Sequence, residues 1–126
     1  MHEDKLPKSY KHQTLRESFK SAFRGLTHAI GERNFRVQLA VGIIAIALAF
    51  ILDIPTVEQM LVIVLTALVL GAELLNSAFE IFLDFMIKEH NAEVAKTKEL
   101  LSAAVLIFSI AALVLGLWIF GKALFF

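Results

Sequence analysis

Cysteine is absent, so disulfides and thiolate chemistry are excluded and no redox compartment can be read. Proline and glycine are sparse, at two and six residues, and little interrupts long helices. Neither sign of charge is in excess. With 12 Lys and Arg against 12 Asp and Glu, the zero net charge argues against a general nucleic-acid role. Polar residues are short overall. At 58% hydrophobic residues and a mean hydropathy of +0.73, a soluble domain of this length could not cover its surface. Alternation of period two is missing, which excludes a β-barrel. Neither a Walker-type phosphate loop nor a kinase glycine-rich loop occurs, which excludes a soluble-kinase ancestry. No apolar core resembling a signal peptide lies between Met1 and Arg36, and this stretch is expected to stay on the mature protein.

What is present is three apolar blocks, with expected spans at about 35–52, 57–84 and 100–120. The first is broken only by Gln38 and stopped by Asp53-Ile54-Pro55. The second is wholly apolar from Met60 to Ala72 apart from Thr66, and the third has Ser102 and Ser109 as its only hydroxyls. Helices satisfy their own backbone groups in lipid, so the fold class is an all-α membrane protein with three transmembrane helices. Three short spans enclose little interior, which predicts oligomerisation. Lys5, Lys8, Lys11, Arg16, Lys20, Arg24, Arg33 and Arg36 precede the first span, and Lys88, Lys96 and Lys98 lie between the second and third. The loop between spans one and two has Asp53 and Glu58 but no Lys or Arg. The positive-inside rule therefore places the N-terminus in the cytoplasm and the C-terminus outside.

Residues 1–13 read as a polar tail, residues 14–31 as an amphipathic helix, and residues 32–126 as the transmembrane domain. Thr14 and Glu17 have the spacing of a capping box, and Gly31 is expected to end the helix. Leu15, Phe19, Ala22, Phe23, Leu26 and Ile30 share one face, with Arg16, Lys20 and Arg24 on the polar side. Such a helix would lie in the membrane interface, or else pack on its own protein.

The costly feature is Glu73, Asn76, Glu80 and Asp84 in the second span. With Glu73 at zero and about 100° per residue, Asn76 falls at about 300°, Glu80 at about 340° and Asp84 at about 20°. All four share one face. An ionisable residue at mid-bilayer costs about 2.5–3.5 kcal/mol on insertion scales, so the stripe must face protein, a cation or water. Interhelical hydrogen bonding would account for Asn76 alone, but carboxylates are poor glue without a cation. Oxygen donors facing a cytoplasmic cavity suit Mg²⁺, which takes one or two carboxylates beside substrate phosphates. Lys96 and Lys98 at the rim suit a polyphosphate, and the two sets together suggest phosphoryl transfer at the membrane face.

The segment Glu73-Leu74-Leu75-Asn76-Ser77-Ala78-Phe79-Glu80, followed by Asp84, resembles the signature of the prokaryotic diacylglycerol kinase and undecaprenol kinase family. Glu32-Arg33-Asn34-Phe35-Arg36, Lys98-Glu99 and Ser102-Ala103-Ala104-Val105-Leu106 agree in order and spacing. The resemblance implies a homotrimer in the bacterial inner membrane, with active sites between subunits, ATP from the cytoplasm and a lipid alcohol from the bilayer. It implies Glu73 as general base and Asn76 as its positioner, with Glu32 and Glu80 holding Mg²⁺ on the ATP phosphates. Lys98 would meet phosphate, Glu99 the nucleotide and Ser102 the lipid, while Glu89 and Asn91 border the nucleotide. Asp84 is expected at the rim. The family commonly reads Glu-Tyr-His where this chain has Glu89-His90-Asn91, and Ala-Lys-Asp where it has Thr97-Lys98-Glu99. The Glu32 to Arg36 segment looks more like the undecaprenol-kinase branch. Another class, a small ion or proton transporter using the carboxylates as a relay, would need polar residues continuing to the outer side. A third, a non-catalytic assembly protein, gives no reason for Glu32 and Lys98.

Overall fold

The computed structural model describes residues 14–126, so the tail read over residues 1–13 lies outside the described residues. The order is α1 (Leu15–Ile30), α2 (Arg33–Ile51), α3 (Thr56–Met86) and α4 (Ala92–Phe125). Among the described residues there is no strand. The last three helices are long and apolar enough to cross a membrane.

α1 starts with reciprocal bonds: Glu17 N–H donates to Thr14 Oγ1 at 3.2 Å, and Thr14 N–H donates to Glu17 Oε2 at 3.1 Å. It ends at Gly31, and Arg36 closes the corner into α2. The guanidinium Nη1 donates to the Ile30 and Gly31 carbonyls at 3.0 and 3.1 Å, satisfying acceptors that a helix end leaves bare. This corner sets Glu32 at the N-cap of α2, with a carboxylate that does not cap its own helix.

The turn from α2 to α3 is a Schellman motif. Ile54 N–H reaches the Ala49 carbonyl at 3.2 Å and Asp53 N–H reaches the Phe50 carbonyl at 3.2 Å. Asp53 takes the left-handed conformation at φ 48°, a region that Asp tolerates better than most residues. Gln59 adds a side-chain bond to the Ala49 carbonyl at 3.3 Å. The motif tucks Ile54 into a buried cluster with Ala49, Val62 and Ile119.

α2 lies close against α3. A Cβ on Gly42 would stand 2.4 Å from Thr66 Cγ2, so only glycine allows this approach. The Thr66 methyl is held there because its hydroxyl donates to the Val62 carbonyl at 2.8 Å. α4 begins at Ala92, about two turns before its apolar block at residue 100. Asn91 explains the early start: its Oδ1 accepts from Glu93 N–H at 2.8 Å and Val94 N–H at 3.4 Å. Little of the apolar side-chain area is enclosed. Phe82, Phe85, Leu117, Trp118 and Phe125 are exposed, as helices surrounded by lipid require.

Candidate active site

The inner edge of α3 runs Val62, Thr66, Val69, Glu73, Asn76 and Glu80, all buried or half-buried and spaced by steps of three and four. Such steps keep one helical face inward. The face is apolar near Thr56 and turns acidic after Val69. At about 1.5 Å per residue, Glu73 lies about 26 Å along the axis from Thr56, Glu80 about 36 Å and Asp84 about 42 Å. A hydrocarbon slab about 30 Å thick would therefore contain Glu73 close to one boundary and leave Glu80 and Asp84 beyond it.

Among the described residues Glu73 and Asn76 are the buried polar ones, at 4% and 8% exposure. Burying a carboxylate to that degree is expensive unless something compensates its charge. Gln38 Nε2 of α2 donates to Glu73 Oε2 at 3.5 Å, and Asn76 Nδ2 donates to Glu80 Oε1 at 3.4 Å. Ser77 donates its hydroxyl to Glu32 Oε2, tying the N-terminus of α2 to α3. Glu32 and Glu80 both lie near enough to repel the charge of Glu73. Among the described residues none of these three acids has a salt-bridge partner.

This donor set is all oxygen. Asn76 Oδ1 is buried among it with no hydrogen-bond partner. Hard divalent cations suit such a set. Among the described residues, however, no three acidic or histidine side chains converge tightly enough to hold a metal alone. Such a set could complete the shell of a hard cation only with further oxygen ligands from outside it.

Asp84 pairs with Lys98 of α4, its Oδ1 2.5 Å from the ammonium. Both side chains are partly open to solvent, so the pair adds little stability. Lys98, Glu99 and Ser102 line a shallow pocket of about 380 Å³ on α4 with Ala103 and Leu106. Glu73, Asn76 and Glu80 do not line it. Asn91 is committed through Oδ1 to capping α4. Glu89 is exposed in the connection before α4 and makes no side-chain hydrogen bond among the described residues. One chain thus gathers Glu32, Glu73, Asn76 and Glu80 in one place and Lys98, Glu99 and Ser102 in another.

Two side chains bonded to the first group have no role assigned from the sequence. Ser77 sits inside the quoted signature, but only its bond to Glu32 distinguishes it from packing. Gln38 had a visible signal as the only polar side chain between Val37 and Ile51 of α2.

The sequence pattern of the family described as prokaryotic diacylglycerol kinase matches residues 20–120. A diacylglycerol kinase of Synechocystis sp. is 33% identical over 101 residues, covering 79% of this chain and 58% of that protein. An undecaprenol kinase of Bacillus subtilis is 30% identical over 105 residues, covering 82% of this chain and 85% of that protein. A diacylglycerol kinase of Escherichia coli is 34% identical over 94 residues, covering 74% of this chain and 77% of that protein.

Proposed function

The chain belongs to the prokaryotic diacylglycerol kinase family, and from that premise we propose that it transfers the γ-phosphate of ATP to the primary hydroxyl of a membrane lipid alcohol. Diacylglycerol and undecaprenol are the acceptors that its relatives' names supply. The observation that carries the reading is the buried Glu73, flanked by Glu32 and Glu80 with no paired cation among the described residues. A carboxylate so placed, near the depth of a lipid headgroup, is suited to take a hydroxyl proton.

In the reaction, Glu73 takes the proton of the lipid hydroxyl while that oxygen bonds to the γ-phosphorus. The bond between this phosphorus and the β–γ bridging oxygen breaks, and ADP leaves with the electron pair. The products are a lipid phosphate monoester and ADP. Asn76 holds Glu80 through its amide N–H and leaves its carbonyl free inside the site. Glu32 and Glu80 would hold Mg²⁺, which neutralises phosphate charge when bound. Lys98, aimed by Asp84, meets phosphate oxygens, while Glu99, Glu89 and Asn91 border the nucleotide and Ser102 the lipid.

The division of these residues supports an assembly of several copies, for which we propose a homotrimer. The α4 pocket and the acidic face of α3 are separate surfaces of one chain, and a neighbouring copy can bring one to the other. α1 would lie on the cytoplasmic interface of the bacterial inner membrane. Its exposed Leu15, Phe19, Phe23, Leu26 and Ile30 favour contact with lipid. The N-terminus and the α3–α4 connection would be cytoplasmic, with the C-terminus outside. A transporter is not favoured. Toward Thr56 the acidic face gives way to Val69, Thr66 and Val62, and the Thr66 hydroxyl is spent on a backbone carbonyl.

The test is phosphate transfer by purified protein in lipid, supplied with ATP, Mg²⁺ and either diacylglycerol or a polyprenol. Formation of a lipid phosphate supports the reading. Failure with every lipid alcohol tried refutes it.

A further inference from the structure

Gln38 is an isolated amide in an apolar helix, where burying an unbonded polar group costs free energy. Among the described residues its side chain makes a single hydrogen bond, from Nε2 to Glu73 Oε2 at 3.5 Å. Its Oε1 is buried and has no partner. The NH₂ end faces the carboxylate, where Oε2 accepts from it. Gln38 also lines the apolar groove of about 670 Å³ that opens between α2, α3 and α4, beside Val41, Val69 and Leu113. It therefore stands between that groove and Glu73.

From this geometry we infer that Gln38 is the positioning residue of Glu73. The amide holds Oε2 of the carboxylate, which leaves Oε1 of Glu73 as the oxygen that receives the acceptor's proton. A bond at 3.5 Å is at the long limit of hydrogen-bond geometry and adds little to helix association. Orienting the base gives this half-buried amide a purpose that gluing α2 to α3 does not. The inference rests on the kinase reading above, with Glu73 as base.

The test uses Gln38→Met, which keeps length and approximate volume but has no N–H, and Gln38→Glu, which keeps an acceptor oxygen and adds a like charge beside Glu73. Full-length protein in lipid is assayed for kcat and for the KM of ATP, alongside its unfolding midpoint. Both variants should lose about tenfold in kcat, within the range expected when a base is mispositioned, with the KM for ATP unchanged. The Gln38→Met protein should unfold at or near the midpoint of the unsubstituted chain. In a Glu73→Gln background, Gln38→Met should lower the residual rate no further, because the group it orients is gone. Retained kcat in Gln38→Met, or a change confined to the KM for ATP, overturns the inference and leaves the kinase reading intact. A lowered midpoint with full kcat per folded protein makes Gln38 simple glue and also overturns it. An inactive unsubstituted protein overturns both.

Discussion

Gly42→Ala tests whether the α2–α3 approach holds the acidic face together. The added methyl carbon would stand 2.4 Å from Thr66 Cγ2, whereas ordinary contacts begin at 3.4 Å, so the helices must part by the difference of 1.0 Å or Thr66 must rotate. Rotation is resisted because threonine is stiff at χ1 and its hydroxyl is bound to the Val62 carbonyl at 2.8 Å. Overpacking of this kind costs about 1–3 kcal/mol, which is about a 5- to 150-fold change in a folding equilibrium. The consequence also reaches the site. Gln38 lies one turn from Gly42, and its bond to Glu73 at 3.5 Å has no slack. Parting the helices there should lower turnover, by up to about 100-fold for a displacement near 1 Å. Unfolding by denaturing detergent in mixed micelles would measure the first effect, and phosphate transfer the second. Thr66→Ser removes only the obstructing methyl and keeps the hydroxyl, so the double variant should regain most of both losses. Normal behaviour of Gly42→Ala, or failure of Thr66→Ser to rescue it, would refute the packing argument.

Three further outcomes are expected. Glu80→Gln and Glu32→Gln should each raise the Mg²⁺ concentration for half-maximal transfer by about tenfold, since in the proposed reaction each supplies one of two charged ligands; an unchanged requirement removes that residue from the metal site. Lys98→Met should raise the KM for ATP about tenfold without moving that of the lipid, and Asp84→Asn should do so more weakly because Asp84 only aims the lysine. Equal effects on both substrates would contradict this division. Asp53→Gly should stabilise the protein by about 0.5 kcal/mol in detergent unfolding, because glycine takes the left-handed C′ position without the cost of a Cβ; a loss of stability would show that Asp53 makes a contact beyond its backbone.

Local pattern carried much of this molecule. The apolar blocks announce α2, α3 and α4, Thr14 and Glu17 announce the start of α1, and the step of 100° per residue puts Glu73, Asn76 and Glu80 on one face. These features depend on neighbours within one or two turns. The partners across helices do not. Gln38 meets Glu73 over 35 positions and Ser77 meets Glu32 over 45, separations at which no periodicity fixes register. Asp84 shows the same limit. It shares the acidic stripe by angle, yet its depth places it beside Lys98 rather than with Glu73. Asn91 stands in the loop where the family pattern is recognised, and only the structure shows that its side chain caps α4 and lengthens that helix beyond its apolar block. Helix angle groups residues on one surface, but contacts between helices decide which of them act together.

The central claim is that Glu73 is the base of a lipid kinase. Its most direct measurement compares transfer of labelled γ-phosphate to lipid alcohol by the unsubstituted protein and by Glu73→Gln, in the same lipid and with unfolding midpoints matched. Glutamine keeps the shape and one acceptor oxygen but cannot take up the proton. Glu73→Gln is expected to remain folded, still bind ATP and lose at least 100-fold in turnover, as for removal of a general base. Turnover within a few-fold of the unsubstituted protein would contradict that role.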